Sequence, residues 1–196
     1  IAKLQALIIT HFDKDHVGGA DKIVERIDID NIYTANYISD SKQTMQFNNV
    51  MLAKGLEPIK LTDTTDVVLH DQTITLYPAE KSMYNRDNNY SIVATVDYKN
   101  ISMLFTGDAE QERLEEILLN EHLARVYDFV KMPHHGRYNE RTQSFIEVIS
   151  PRYAVITSSN KNVEDERTVK ILEKVGAEVF TTRNGNIELI TDGKII

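Results

Sequence analysis

The chain has 196 residues, 41% of them hydrophobic, with six histidines, no cysteine and a net charge of −8 at pH 7. This length and composition suit one soluble domain with its own core, and no apolar run approaches the ~20 residues that a membrane span needs. Without cysteine there is no disulfide, thiolate ligand or Cys nucleophile, and the acidic balance argues against a broad nucleic-acid surface.

Strands alternate with helices along the chain, so an α/β fold is expected, as one domain over 1–196. Residues 1–10 are too short, and lack the basic start, for a signal peptide. Within them, 4–10 is a continuous apolar run, read as a strand buried on both faces. The cluster His11-Phe12-Asp13-Lys14-Asp15-His16 comes next, then Gly18-Gly19 and a helix over 20–27. A short strand over 31–35 leads to a helix over 41–54, which Ser41 is placed to cap. Short strands follow over 59–61, 66–69 and 73–77, the last two forming a hairpin with His70 in its turn. A second hairpin pairs 91–97 with 101–106 around Tyr98-Lys99-Asn100. An amphipathic helix covers 109–120, with Leu114, Ile117 and Leu118 on one face. Beyond it come a strand over 129–132 closed by Pro133, a helix over 141–149, a strand over 153–157 and a helix over 164–175 stopped by Gly176. Strands over 179–181 and 187–190 complete the sheet.

Three polar clusters each follow a strand: His11 to His16, Gly107-Asp108, and His134-His135-Gly136. Ligands of open α/β sheets bind beyond the carboxyl ends of strands, so the three clusters are expected to converge. His11, Asp13, Asp15 and His16 offer the imidazole and carboxylate donors that zinc, manganese and iron take. A tight turn can present His11 and Asp13 to one ion and Asp15 and His16 to a second, with Phe12 and Lys14 pointing away. The plain alternative is a surface loop whose histidines do nothing, but four such donors at the end of a buried strand are not ordinary loop composition.

Asp108 has two oxygens and can bridge two cations. Taken alone it would read as the cap of the helix over 109–120; the first cluster reverses that reading. Glu110 reads as a first-turn acid favoured by the helix dipole, and the acidic run 110–116 as a solvated face. Of His134 and His135, one is expected to ligate metal and the other to face substrate, and the residues leave open which. Arg137 either meets an anionic substrate or sits in solvent. His70 and His122 read as surface residues.

The run from His11 to Gly19 resembles the HxHxDH signature of the metallo-β-lactamase superfamily, with Asp13 at the second His position. Three further segments resemble its ComEC-like branch, the hydrolase domain of bacterial competence DNA-uptake proteins. They are Asn88-Asn89-Tyr90-Ser91-Ile92-Val93, Leu104-Phe105-Thr106-Gly107-Asp108-Ala109 and Val130-Lys131-Met132-Pro133-His134-His135-Gly136. Order and spacing match from Leu4 to Thr182. The resemblance implies a four-layer αβ/βα sandwich with two divalent metal ions, zinc before manganese or iron, at the edge between two sheets. It also implies that the family's preceding strands are absent, because the chain starts at the strand before the metal motif; an N-terminally truncated domain is therefore expected. The His that many members carry between the first motif and the bridging Asp is lacking. Either His134 or His135 replaces it, or one metal binds weakly. Ser158 to Asn162 has the asparagines of a late family loop without its His.

The expected function is metal-dependent hydrolysis of a phosphoester, above all a phosphodiester. Two cations ~3.5–4 Å apart lower the pKa of a bridging water and yield a metal-bound hydroxide at neutral pH. The metal candidates are His11, Asp13, Asp15, His16, Asp108, His134 and His135; the catalytic candidates are Asp15, His134 and His135. The alternatives are ester, lactone or amide hydrolysis on the same site, or a non-catalytic metal- or ligand-binding domain. Lys14, Lys131 and Arg137 are the basic residues nearest the expected site, too few for a duplex track. No stable duplex DNA binding and no membrane contact are therefore expected. A cytoplasmic location is favoured over an extracytoplasmic one.

Overall fold

A computed structural model describes residues 3–196; Ile1 and Ala2, at the start of the predicted opening strand, lie outside them. Among the described residues, ten strands form two sheets. The first holds β1 (Lys3–Ile9), β2 (Asp28–Ala35) and β3 (Ile59–Leu61), all parallel, in that order. Its crossovers carry α1 (Lys14–Val17), α2 (Ala20–Arg26) and α3 (Lys42–Ala53). Ser41 caps α3 as expected, its Oγ accepting from the Thr44 N–H at 3.2 Å.

The second sheet runs in chain order. The antiparallel strands are β4 (Thr65–Leu69), β5 (Gln72–Tyr77), β6 (Val93–Tyr98) and β7 (Ile101–Phe105). Parallel to β7 lie β8 (Phe129–Lys131), β9 (Tyr153–Ile156) and β10 (Glu178–Thr181). Helices α4 (Gln111–Leu119), α5 (Thr142–Ile149) and α6 (Glu166–Lys174) make the parallel crossovers.

Side-chain alternation explains the layering. On β1, Leu7 and Ile9 face Val24, Phe47 and Met51 of α2 and α3, while Ala6 and Ile8 turn to the other sheet. There they meet Leu76, Ile92 and Ala94, with Tyr33 and Leu61 from the first sheet. The outer face of the second sheet, Val93, Leu104, Val130 and Ala154, packs on Leu114, Ile117, Phe145, Ile146 and Leu172 of α4, α5 and α6. Helices, sheet, sheet and helices thus form the four-layer sandwich.

Two expectations need correction. Strand β1 has apolar cover on both faces yet is only half-buried, because it is the edge strand of its sheet. Residues 187–190 form no strand. They alternate between half-buried and exposed, and Ile187 and Leu189 pack with Ile196 against Ile101, Met103 and Phe129. The period-2 pattern is real, but the segment lies across the sheet's inner face, where no neighbouring strand is present among the described residues to make a ladder.

Candidate metal centre

The centre sits where the carboxyl ends of β1, β7 and β8 meet. The Ile92 N–H donates to the Thr10 carbonyl (2.9 Å) and ties the two sheets together there. After β1 the chain turns into α1, a single helical turn in which the Asp13 carbonyl accepts from the His16 and Val17 N–H groups, both at 2.9 Å. Phe12 is buried against Tyr37, whose hydroxyl accepts from the Phe12 N–H at 2.8 Å, and Lys14 is exposed. Both therefore point away from the cluster.

Asp15, His16, Asp108 and His135 place one ligand atom each within 4.8 Å of one another, a set that could hold a metal ion. His16 Nε2 lies 3.1 Å from Asp108 Oδ1, and His135 Nε2 lies 3.2 Å from Asp108 Oδ2 and 3.0 Å from Asp15 Oδ2. The Lys131 ammonium donates to the Gly107 carbonyl (3.0 Å) and to Asp108 Oδ1 (3.2 Å). His11 is fully buried beside His16, ring centroids 4.1 Å apart, with its Nε2 4.0 Å from Asp13 Oδ2.

All three histidines are held at Nδ1. Thr157 O faces His135 Nδ1 at 2.7 Å; Thr10 Oγ1 faces the Nδ1 atoms of His11 (3.1 Å) and His16 (3.3 Å). Because a carbonyl only accepts, His135 carries a proton on Nδ1. Its Nε2, which faces the Asp108 and Asp15 carboxylates as a donor in the metal-free chain, is the nitrogen that would give up its proton and offer a lone pair to a metal ion. Such outer partners are what fix the tautomer of a metal-ligating imidazole. The Nε2 of His11 is buried and has no hydrogen-bond partner among the described residues. Leaving such an atom unpaired costs about 1–3 kcal/mol, and a cation would satisfy it. The donor set therefore fits divalent metal.

Local backbone shape sets these positions. His134, His135 and Gly136 all have positive φ (41°, 56° and 71°) in a left-handed turn after β8. Non-glycine residues held this way cost about 1–3 kcal/mol each, a strain that clusters at functional sites. A side chain at Gly136 would also press within 2.8 Å of Ile156 Cγ2. At Gly107 (φ 56°) a Cβ would come 2.8 Å from Ser91 Oγ, the atom that accepts from the Asp108 N–H.

The pair His134 and His135 divides. His135 joins the cluster, and His134 does not: its Nδ1 lies 3.1 Å from Glu110 Oε1, and Asn88 Nδ2 lies 3.4 Å from its Nε2. Asp108 is no helix cap. Asn89 Oδ1 takes that part for α4 by accepting from the Glu110 and Arg113 N–H groups, both at 3.1 Å. Glu110 is the partner of His134 as well as the residue before α4. The acidic run is also only partly solvated: Glu116 is buried and pairs with Arg113 at 2.7 Å. His70 and His122 are exposed, as expected.

Charge states follow from these contacts. Burial, helped by His16, pushes the His11 imidazole down to about 3, so it is neutral and free to ligate. Burial by itself would raise the Asp108 carboxyl, but hydrogen bonds from His135 and His16 and the Lys131 charge hold it well below the usual carboxylate range. His135 is raised by its hydrogen bond to Asp108, and burial lowers His134. Burial and then Asp15 raise Asp13. For Asp15, burial is outweighed by a backbone hydrogen bond and His16, which lower it.

One pH effect is expected in the metal-free chain. The folded value of His11, about 3, lies below the unfolded value of about 6.5, so the unfolded state takes up the proton first. Stability should fall as pH drops from about 6.5 towards 3. Urea unfolding in chelator at pH 7 and pH 5, for the wild type and His11→Gln, isolates it. The wild-type advantage should shrink by about 2 kcal/mol at the lower pH. His135 acts with the opposite sign but is common to both proteins. An unchanged difference would mean that His11 is hydrated without metal.

The family model of the metallo-beta-lactamase superfamily matches residues 1–158. ComE operon protein 3 of Bacillus subtilis (strain 168) is 26% identical over 196 residues, which cover 96% of this chain and 25% of that protein. Recombination protein 2 of Haemophilus influenzae is 27% identical over 160 residues, 81% of this chain and 18% of that protein. The chain thus spans a quarter or less of the curated relatives it matches. Among solved structures it aligns with Igni18, a metallo hydrolase from the archaeon Ignicoccus hospitalis, at a TM-score of 0.59 and 19% identity, over 96% of this chain and 81% of that one. The family match, the sandwich and the cluster at its strand ends agree: the chain belongs to the metallo-β-lactamase superfamily and is similar, within it, to ComE operon protein 3.

Proposed function

We propose that this metal-dependent hydrolase fold cleaves phosphodiesters. The observation that carries the reading is Asp108, 3% exposed, facing His16, His135 and the Lys131 ammonium at once. Asp15, His16 and His135 would hold one ion, His11 and Asp13 a second, with Asp108 shared. Divalent cations there, zinc before manganese or iron, would supply Lewis-acid chemistry, activating water and offsetting charge on the phosphoryl oxygens. Asp15, the most open of the four clustered donors, would take the proton from the attacking water. His135 would orient Asp15 and Asp108, and His134, held by Glu110, would face the substrate. Lys131 adds fixed positive charge where negative charge grows in the transition state, which favours an anionic substrate over a neutral lactone or ester. The likeness to a protein named for recombination is in keeping with a nucleic-acid diester.

The test joins metal analysis to a substrate panel: bis(p-nitrophenyl) phosphate and a short single-stranded oligonucleotide against carboxylic esters and lactones, with zinc or manganese added. Turnover of the diesters, lost in chelator, is the expected result. Turnover of esters or lactones alone would overturn it. Titration with duplex DNA at physiological salt should give binding weaker than about 10 µM, because basic groups near the site are few. Tight, salt-sensitive duplex binding would instead make this a duplex nuclease.

A further inference from the structure

A polar cleft of about 310 Å³ opens beside the metal centre, walled by Arg86, Glu110, His134, Arg137 and Tyr138 among others. Its inner wall is His134, whose ring centroid lies 6.0 Å from that of His135 in the cluster. The Glu110 carboxylate is engaged on both oxygens: Oε1 by His134 Nδ1 (3.1 Å) and Asn88 Nδ2 (3.0 Å), Oε2 by Arg86 Nε (3.4 Å). Arg137 is exposed, and its guanidinium has neither ion pair nor hydrogen bond among the described residues. Two guanidinium groups against one committed carboxylate make the cleft locally positive on a chain of charge −8. The far wall is fixed, because the Arg167 guanidinium stacks 4.1 Å from the centroid of the Tyr138 ring.

A guanidinium fork matches phosphate oxygens, and at an open rim it does so without burying an unpaired charge. We infer that this cleft is the subsite for a second phosphate, the one adjoining the scissile diester, gripped by Arg137 with Arg86 beside it. The inference rests on the phosphodiesterase reading and deepens it. Its substrate is then a flexible single strand carrying at least two phosphates, one at the metals and the next in the cleft. A terminal phosphate of a short nucleotide has the same recognition chemistry, so the test must separate the two.

The test compares kcat/KM of the manganese-loaded protein on TpT, on TpTpT and on TpT phosphorylated at either end. The wild type should prefer TpTpT over TpT by about tenfold or more, the worth of a charged hydrogen bond. In Arg137→Ala the ratio should collapse towards one, in Arg137→Lys recover in part, and in Arg86→Ala fall by a smaller factor. Circular dichroism verifies that each variant is folded. A wild-type ratio near one, or a ratio unchanged in Arg137→Ala, would overturn the subsite while leaving the phosphodiesterase reading in place. A gain confined to the end-phosphorylated dinucleotides would overturn the strand and assign the cleft to a terminal phosphate. Hydrolysis of esters or lactones with no cleavage of any of these diesters would instead overturn the reading on which the subsite rests.

Discussion

Asp108→Asn is expected to lower phosphodiester turnover by about a thousandfold in a chain that still folds. Asn keeps the shape of the side chain, and the Asp108 N–H still donates to Ser91 Oγ, so the loop after β7 keeps its course. What disappears is the negative charge facing His16, His135 and Lys131. Two cations would then lack their shared anionic ligand, and metal content should fall together with rate. Metal analysis, circular dichroism and turnover of bis(p-nitrophenyl) phosphate, measured on one preparation, read the three consequences separately. Wild-type turnover in this variant would remove Asp108 from the chemistry.

The second large effect is on stability. Arg113, 1% exposed, donates through Nε to the Ser91 carbonyl (3.1 Å) and through its two terminal nitrogens to Glu116 and the Tyr77 carbonyl, both at 2.7 Å. Glu116 also accepts from the Tyr84 hydroxyl (2.5 Å) and the Glu80 N–H (3.3 Å). This pair pins the long segment between β5 and β6 onto α4. Arg113→Ala strands a buried carboxylate and two carbonyls, and breaking a buried pair by removing one partner costs about 3–5 kcal/mol. For a domain of this size that is a drop in melting temperature of roughly 6–20 °C. The double variant Arg113→Met/Glu116→Gln should recover much of the loss, because no uncompensated charge remains. If Arg113→Ala melts with the wild type, the pair is hydrated in solution. Metal affinity should weaken in the single variant too, since Ser91 is held by Arg113 and itself holds Asp108.

Much of the fold was legible because its signals are local. The apolar run of β1, the cap at Ser41, the turns after Leu69 and Tyr98, and the stop at Gly176 are each written in a few residues. The site was legible as three clusters after three strands, because ligands must project from strand ends. What stayed hidden depends on neighbours distant in sequence. No local rule separates His134 from His135; a left-handed turn sends one to Asp108 and the other to Glu110, and it ends at Gly136, where a side chain would press on Ile156, far away in sequence. Glu116 sits in a run that looks solvated, and only the unseen Arg113, Tyr84 and Glu80 contacts explain its burial. Asn88, Asn89 and Ser91 were noticed only through the family resemblance. Their work, which is to hold Glu110, cap α4 and orient Asp108, is invisible until the second sheet closes. The segment over 187–190 misled because alternation records a half-buried surface, whether or not a ladder forms beside it.

Asp15 and His135 meet at 3.0 Å although 120 residues separate them in sequence. Closing so long a loop is among the slower steps of folding, and contacts of that span are generally absent from the earliest nucleus. A cation seated between them therefore acts on the escape from the native state more than on the approach to it. The consequence would be a form of metal economy: scarcity of a bound ion would shorten the lifetime of the folded domain by exposing it to proteolysis, well before it changed how fast new chains mature.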